Sequence, residues 1–166
     1  MLDCSSIEKP AALWVRPLAS TDMRDIIEHL LRLSPYDRHL RFFCTLSDDT
    51  IRRLIEDRLK DGHVHFLGVY RNDRLIAVGQ LAGTAETSEL AEFTVSVDAA
   101  SRNKGIAAEL VRHAIGHAQR QGYGEICLSI MSENIPIKQL ARRFAFQFRH
   151  RHSQVTAHLK IASAKR

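Results

Sequence analysis

A short basic loop in the middle of the chain has the residue types that bind an anion. It runs from Arg102 to Ala107 (RNKGIA) and contains two positive charges and a glycine. A strand is predicted before it, because residues 90–97 alternate apolar and polar side chains, and a helix after it, because apolar residues recur at helical spacing over residues 107–118. The first turn of a helix presents unpaired N–H groups and a partial positive charge. The pattern therefore predicts a phosphate-binding loop in which Gly105 lets the ligand approach the backbone.

Other groups with chemical potential lack a complete site. His113 and His117 are four residues apart on the predicted central helix, but no glutamate follows the first and both lie on its polar face. His63 and His65 share a strand face without an evident third ligand. Cys127 lies in an apolar strand with no basic neighbour, which predicts a buried, inert thiol. We expect no metal site.

Length and composition favour one soluble, globular domain. The chain has 166 residues, 45% of them hydrophobic and 26% charged, and a chain of this length buries roughly 70% of its unfolded surface. The longest uncharged run near the middle is far too short for a membrane span. No secretory signal is visible, and three cysteines without a C-x-x-C pair fit reduced thiols. We expect one domain over residues 1–166, with residues 1–11 flexible, in the cytoplasm and away from membranes.

The net charge of +5 is unevenly distributed. Residues 134–166 contain eight Lys and Arg side chains and no Asp or Glu, whereas the rest of the chain holds 16 basic and 19 acidic side chains. A basic end suits the phosphates of a nucleotide, an acidic protein surface or nucleic acid. Phe144, Phe146 and Phe148 are better explained by core packing than by base stacking, so nucleic acid is the least favoured of these partners.

The hydrophobic periodicities predict about seven strands and about four helices in the order β-α-α-β-β-β-α-β-α-β-β. The first helix is expected to stop at Ser34-Pro35, and a segment rich in Arg and aromatic residues, 33–43, follows it. The predicted strands are Leu13–Leu18, Val64–Tyr70, Leu75–Ala82, Leu90–Val97, Ile126–Met131, Gln147–His150 and Val155–Ile161.

Two motifs in this order resemble those of the GNAT acetyltransferase superfamily. The string V-x-V-x-x-x-x-R-x-x-G-x-A, from Val95 to Ala107, matches the acetyl-CoA pyrophosphate motif, and the run from Asn134 to Phe146 resembles a second family motif. The resemblance covers nearly the whole chain. It implies the GNAT fold: an α/β (α+β) architecture with a mixed, mostly antiparallel sheet of about seven strands, about four helices and a V-shaped splay between strands 4 and 5.

A third motif narrows the resemblance. Leu33-Ser34-Pro35, with Arg38, Arg41 and Phe42-Phe43, is similar to the signature of bacterial protein lysine acetyltransferases of the Pat type. It implies transfer of an acetyl group from acetyl-CoA to a primary amine, with a protein lysine as acceptor. A lysine with an ordinary pKa of about 10.4 is almost wholly protonated at pH 7, so a general base is useful. Glu92, in the context A-E-F-x-V-x-V, resembles the position of that base; the alternative is a surface or salt-bridged glutamate.

The resemblance also implies how the co-substrate is held. The backbone from Val95 to Val97 would pair with the acetyl-pantetheine arm, the basic loop would bind the pyrophosphate, and Asn134 resembles an asparagine that contacts the arm. The implied partners are acetyl-CoA and an amine acceptor, for a monomer or homodimer without a metal. The implied cofactor-binding residues are Val95, Val97, Arg102, Asn103, Lys104, Gly105, Ile106, Ala107 and Asn134.

Two positions depart from the family pattern. Ala141 stands where many GNAT enzymes have a tyrosine that protonates the leaving CoA thiolate, and Ala145 stands where a glycine usually precedes Phe146. The general acid is therefore unassigned, and the turn at Ala145 is open to question. Two alternatives stay open: acetylation of a small amine, and a catalytically silent acyl-CoA-binding module that regulates a partner.

Overall fold

A seven-stranded sheet organises the part of the chain that the computed structural model describes, residues 14–83, 89–151 and 154–162. The predicted flexible segment, residues 1–11, lies outside these residues. The strands are Val15–Leu18 (β1), Val64–Arg71 (β2), Arg74–Gly83 (β3), Leu90–Val97 (β4), Glu125–Met131 (β5), Gln147–Arg151 (β6) and Gln154–Lys160 (β7). The α-helices are Met23–Arg32 (α1), Pro35–Phe42 (α2), Asp48–Lys60 (α3), Ile106–Gln121 (α4) and Ile135–Arg143 (α5), with short 3-10 turns at Ser20–Asp22 and Ala99–Ser101.

The sheet is antiparallel except at its centre. Its strand order is β1-β2-β3-β4-β5-β7-β6, and β4 and β5 form the parallel pair. Their register holds for three residue pairs and ends at Glu92 opposite Cys127, although β4 continues to Val97 and β5 to Met131. The two strands therefore separate over their second halves. The predicted mixed, mostly antiparallel sheet and the splay between strands 4 and 5 are confirmed.

Each face of the sheet supports its own hydrophobic core. On one face α4 and α5 cover a cluster that includes Phe93, Leu110 and Ile126. On the other face α1 and α3 cover a second cluster that includes Ile26 and Ile51. All five side chains are at most 1% exposed, and burying each stabilises the fold by about 1.5–3 kcal/mol. The sheet therefore lies between α4 and α5 on one face and α1 and α3 on the other, and β4 contributes Ala91 and Phe93 to the first core.

The part of the chain that the structure describes contains one α-helix more than the sequence predicted. The additional helix is α2. The Ser34-Pro35 pair that was expected to stop the first helix also begins the second. Ser34 Oγ accepts a hydrogen bond from the Asp37 N–H at 3.0 Å, and Pro35 occupies the first turn, where its missing N–H costs nothing. A serine followed by a proline is compatible with both events, so the sequence pattern alone does not distinguish them.

The turn after α5 keeps its form although Ala145 replaces the glycine. Ala145 adopts a φ of 59° in the left-handed region. Its N–H donates to the Arg142 carbonyl at 3.0 Å, and the Phe146 N–H donates to the Ala141 carbonyl at 3.1 Å. These bonds close the end of α5 in the way a glycine does. The left-handed alanine costs roughly 1–2 kcal/mol.

Two further observations concern the described residues only. None of the helices in this part of the chain combines the length and the hydrophobicity that crossing a membrane requires. Across residues 14–83, 89–151 and 154–162, no group of three or more His, Cys, Asp or Glu side chains is arranged to hold a metal ion.

Candidate active site

The space between the separated ends of β4 and β5 is a cleft of about 500 Å³. Its walls come from α2, β4, the loop before α4, β5 and α5. Glu92 lies at its edge and Lys104 lies outside its lining. The other predicted site residues all line it: Val95, Val97, Arg102, Asn103, Gly105, Ile106, Ala107 and Asn134.

The backbone of β4 turns hydrogen-bonding groups towards this cleft. The Asp98 N–H donates to the Ile76 carbonyl at 2.8 Å, continuing the antiparallel register of β3 and β4. Because hydrogen-bonding direction alternates along a strand, Val95 and Val97 direct their N–H and C=O groups away from β3, towards β5. The β5 strand has diverged at that point. An extended ligand can therefore bind to the edge of β4 as an additional strand would.

The start of α4 offers a second set of free backbone groups. Gly105 caps the helix with a φ of 79° and provides no side chain to bond the first amides. The first intrahelical bond joins the Glu109 N–H to the Gly105 carbonyl, so the amides of residues 106–108 precede the helical ladder. A Cβ built at Gly105 meets nothing within 4 Å. This open, electropositive helix end fits a pyrophosphate.

The two basic side chains of the loop are held within the protein. Arg102 Nη2 lies 2.9 Å from Asp37 Oδ1 of α2, and its Nε donates to the Val97 carbonyl at 3.2 Å. Burial raises the pKa of Asp37, but hydrogen bonds from Ser34 and Arg102 outweigh burial and hold this pKa below its ordinary value. Lys104 Nζ donates to the Ala100 carbonyl at 3.0 Å. The groups that this loop leaves available for an anion are therefore chiefly backbone amides.

A buried polar cluster fixes the loop to the opposite face of the sheet. His29 of α1 is wholly buried, with Nδ1 3.0 Å from Asp98 Oδ1 and Nε2 2.9 Å from Ser96 Oγ. Arg74 Nη2 also contacts Asp98, at 3.1 Å. Burial raises the pKa of Asp98, but the contact with His29 and the charges of Arg32 and Arg74 outweigh burial and hold this pKa below its ordinary value. The cluster ties the end of β4, from which the loop departs, to α1.

Glu92 occupies the point where β4 and β5 separate. It is exposed, belongs to the last paired position opposite Cys127, and its Oε1 accepts a hydrogen bond from Ser129 Oγ at 2.6 Å. Ser129 itself lines the cleft. Burial and the negative charge of Glu92 raise the pKa of the Cys127 thiol to about 12. Cys127 is therefore buried and unreactive, as predicted, and the accessible base at this point is Glu92.

Arg41 of α2 lines the same cleft and was not among the predicted site residues. Its Nη2 donates to Gln80 Oε1 at 3.0 Å, and its Nε is buried without a partner among the described residues. Burial lowers the pKa of Arg41 to about 10, while the negative charge of Glu92 acts to raise it. The position of Arg41 in the Pat-type motif is the sequence signal from which it could have been predicted as a site residue. Ser129, a hydroxyl in an apolar strand, carries no comparable signal.

Asn134, which caps the start of α5, and Ala141, within α5, differ in their relation to the cleft. Asn134 lines it and caps the helix, with Oδ1 accepting from the Ile137 N–H at 3.4 Å. This leaves the Asn134 side-chain amide N–H₂ as a donor. Ala141 is 2% exposed and packs in the core beneath the cleft. A proton donor for a leaving group therefore does not come from position 141.

A family model confirms the class of protein that this fold and cleft define. Residues 25–146 match the model of the acetyltransferase (GNAT) family. The chain belongs to this family, and the predicted enzyme class, an acetyl-CoA-dependent N-acetyltransferase, is confirmed. No curated protein sequence matches the chain.

Solved structures share the fold at low sequence identity. The GNAT domain of S. lividans PAT is 16% identical, with a TM-score of 0.78 over 89% of this chain and 90% of that one. Spermidine N-acetyltransferase from Vibrio cholerae, solved with CoA and spermine, is 19% identical, with a TM-score of 0.73 over 90% and 95%. The ribosomal-protein-S18-alanine N-acetyltransferase from Escherichia coli is 14% identical, with a TM-score of 0.73 over 92% and 96%. The acceptors of these enzymes differ, so the shared fold does not identify an acceptor here.

Proposed function

We propose that this protein transfers the acetyl group of acetyl-CoA to a protein lysine, with Glu92 as the general base. The observation that carries the proposal is the position of Glu92. Its exposed carboxylate stands where β4 and β5 separate, next to a cleft whose walls present free backbone groups for a CoA ester. Base and co-substrate site therefore meet at one point.

The residues of the cleft fit acetyl-CoA in two places. The amides at the start of α4 suit the pyrophosphate, because the space in front of Gly105 is open. The N–H and C=O groups of Val95 and the N–H of Val97 suit the amides of the pantetheine arm, since they face the gap left by β5. Bound acetyl-CoA supplies an activated thioester carbonyl. The chain's own contribution at that end of the cleft is to accept a proton from the amine.

Glu92 has the environment that this role requires. Its exposure lets an acceptor amine reach it, and Ser129 orients its carboxylate through one oxygen, Oε1. The second oxygen is then available to take a proton from an incoming ammonium. A positioned base of this kind contributes about 10²–10⁴ in rate.

The proposal of a protein acceptor rests on α2. The motif that resembles Pat-type enzymes forms this helix, and five residues of the segment line the cleft: Leu33, Tyr36, Asp37, Leu40 and Arg41. Tyr36 on the same helix is 58% exposed although it is large and partly apolar. An exposed aromatic side chain at the mouth of a cleft suits contact with a polypeptide better than with a small amine.

One observation favours the silent acyl-CoA-binding module as a second candidate. Ala141 is buried in the core, and it stands at the position where many family members have a tyrosine that acts as the general acid. No proton donor for the CoA thiolate therefore comes from that position. If the chain is an enzyme, solvent or another group has to protonate the thiolate, and a cleft open at its mouth admits water.

Glu92→Gln tests the enzyme against the silent module. The variant keeps the size of the side chain but cannot accept the proton, so turnover on an acceptor identified by labelled acetyl transfer in lysate should fall about 10²–10⁴-fold. Affinity for CoA, measured by calorimetry, should stay within about twofold. Glu89→Gln removes the same charge from an exposed turn before β4 and serves as the control.

Each result separates the candidates. Wild-type turnover in the Glu92→Gln variant would remove Glu92 from the mechanism and leave acetyl transfer standing. Binding of CoA by the wild type without transfer to any protein or small amine would make the silent module the better account.

A further inference from the structure

Arg41 places a positive charge on the side of the cleft where Glu92 lies, which we call the acceptor side. Its guanidinium is tied to Gln80 of β3, which lies directly opposite Thr94 of β4 in the antiparallel register. Glu92 is two residues from Thr94 and therefore on the same face of the sheet, about 7 Å further along. Arg41 and Glu92 thus stand over neighbouring positions of one surface, with the cleft beside them.

Some of the other charges near this surface are paired within the protein, whereas Arg58 and Glu125 add charge beside Arg41 and Cys127. Asp37 of α2 is paired with Arg102 at 2.9 Å, and Arg38 is paired with Asp48 of α3 at 2.7 Å. Arg58 of α3 adds positive charge near Arg41, and Cys127 of β5 is an un-ionised thiol. An acceptor that reaches Glu92 meets its carboxylate and the Arg41 guanidinium, and neither of them forms an ion pair with another side chain among the described residues.

The guanidinium has hydrogen-bonding capacity to spare. Gln80 occupies one of its five N–H donors, and the Nε donor is buried without a partner among the described residues. A carboxylate pairs with such a group through charge-assisted bonds, whereas a second ammonium on the acceptor is repelled by it. The charge of Arg41 thus distinguishes acceptors by what surrounds their reacting amine.

We propose that Arg41 is a specificity-determining residue that selects acceptor lysines flanked by acidic residues and rejects polycationic amines. The inference rests on the proposed function, in which the acceptor amine approaches Glu92. It adds the class of acceptor, an acidic peptide segment, which neither the family nor the fold assigns.

Matched acceptors test this directly. Two peptides of equal length with one lysine, flanked by Glu or by Arg, are compared with spermidine. Affinity for the CoA-saturated protein is measured by calorimetry and acetyl transfer by kcat/KM. The wild type should favour the Glu-flanked peptide at least about tenfold over both cationic acceptors, since one hydrogen bond between charged groups is worth about that much. Arg41→Gln should reduce the preference to within about threefold.

Two variants and one condition control the result. Arg41→Lys keeps the charge and should keep most of the preference. Arg53→Gln removes an equal charge from the exposed face of α3 and should keep all of it. The wild-type preference should also weaken as salt rises from ~0.05 to ~0.5 M, because screening acts on a partly exposed charge pair. The salt measurement needs no variant, so it decides the question even if Arg41→Gln does not fold.

The outcomes distinguish this inference from the proposed function. A wild type without preference, or a preference for spermidine, overturns the role of Arg41, as does an unchanged preference in Arg41→Gln or at high salt. Transfer without preference leaves the acetyltransferase standing. A binding preference without transfer supports Arg41 and overturns the enzyme.

Discussion

The two sides of the cleft differ in the part of the chain that they present to a ligand. The proposed co-substrate side, from Arg102 to the start of α4, presents backbone groups, and its basic side chains are engaged with Asp37 and a carbonyl. The proposed acceptor side presents side chains, Glu92 from β4 and Arg41 from α2. A backbone site depends on local conformation and tolerates varied side chains. A side-chain site depends on which elements packing brings together.

The largest effect that tests this contrast is stabilisation by CoA. At about 100 times its dissociation constant, CoA should add about 2.7 kcal/mol to the free energy of unfolding. For a chain of this size the melting temperature should rise by about 5–10 °C. Thermal melts of Glu92→Gln and Arg41→Gln should show the full shift, because neither residue belongs to the co-substrate side. Loss of the shift in either variant would contradict the separation of the two sides.

The second-largest expected effect concerns the two glycines that cap α4, Gly105 before the helix and Gly122 after it. Gly105 and Gly122 both have positive φ, 79° and 81°, and a Cβ at either meets nothing within 4 Å. Valine at either position should therefore cost similar stability. Gly105→Val should also weaken CoA binding about tenfold, the value of roughly one hydrogen bond to a charged group. Calorimetry on both variants checks this. Equal CoA affinity in the two would place the phosphates elsewhere.

The smallest effect concerns a departure from the family pattern that lies away from both ligands. Ala145→Gly should relieve the left-handed strain at a φ of 59° and stabilise the protein by about 1 kcal/mol. The melting temperature should rise by about 2–4 °C, with CoA affinity and turnover unchanged. A variant of lower stability would show that the Ala145 methyl group makes packing contacts worth more than the strain.

The local parts of this protein were predictable from its sequence. The alternation from Leu90 to Val97 specified β4 to the residue, and helical spacing after Gly105 specified α4. The alternation extends over the whole of β4, and the helical spacing extends over several turns of α4. In both elements one face is buried in the core and must be apolar, which produces the pattern. The local structure of the proposed co-substrate side could be predicted for the same reason, since a strand, a glycine loop and a helix start are consecutive in the chain.

Contacts between distant residues were decided by the tertiary structure. Hydrophobic periodicity provides no reason for His29 to be wholly buried, because its partners Ser96 and Asp98 are 67 and 69 positions away. The pairing of Arg41 with Gln80 likewise depends on where α2 packs against the sheet. The Ser34-Pro35 pair did not show that a helix begins there. Side-chain charge and hydrogen bonding act through space, and sequence spacing constrains them only within one element. Glu92 was predicted from the sequence, but the contacts of Ser129 with Glu92 and of Gln80 with Arg41 are revealed only by the folded chain.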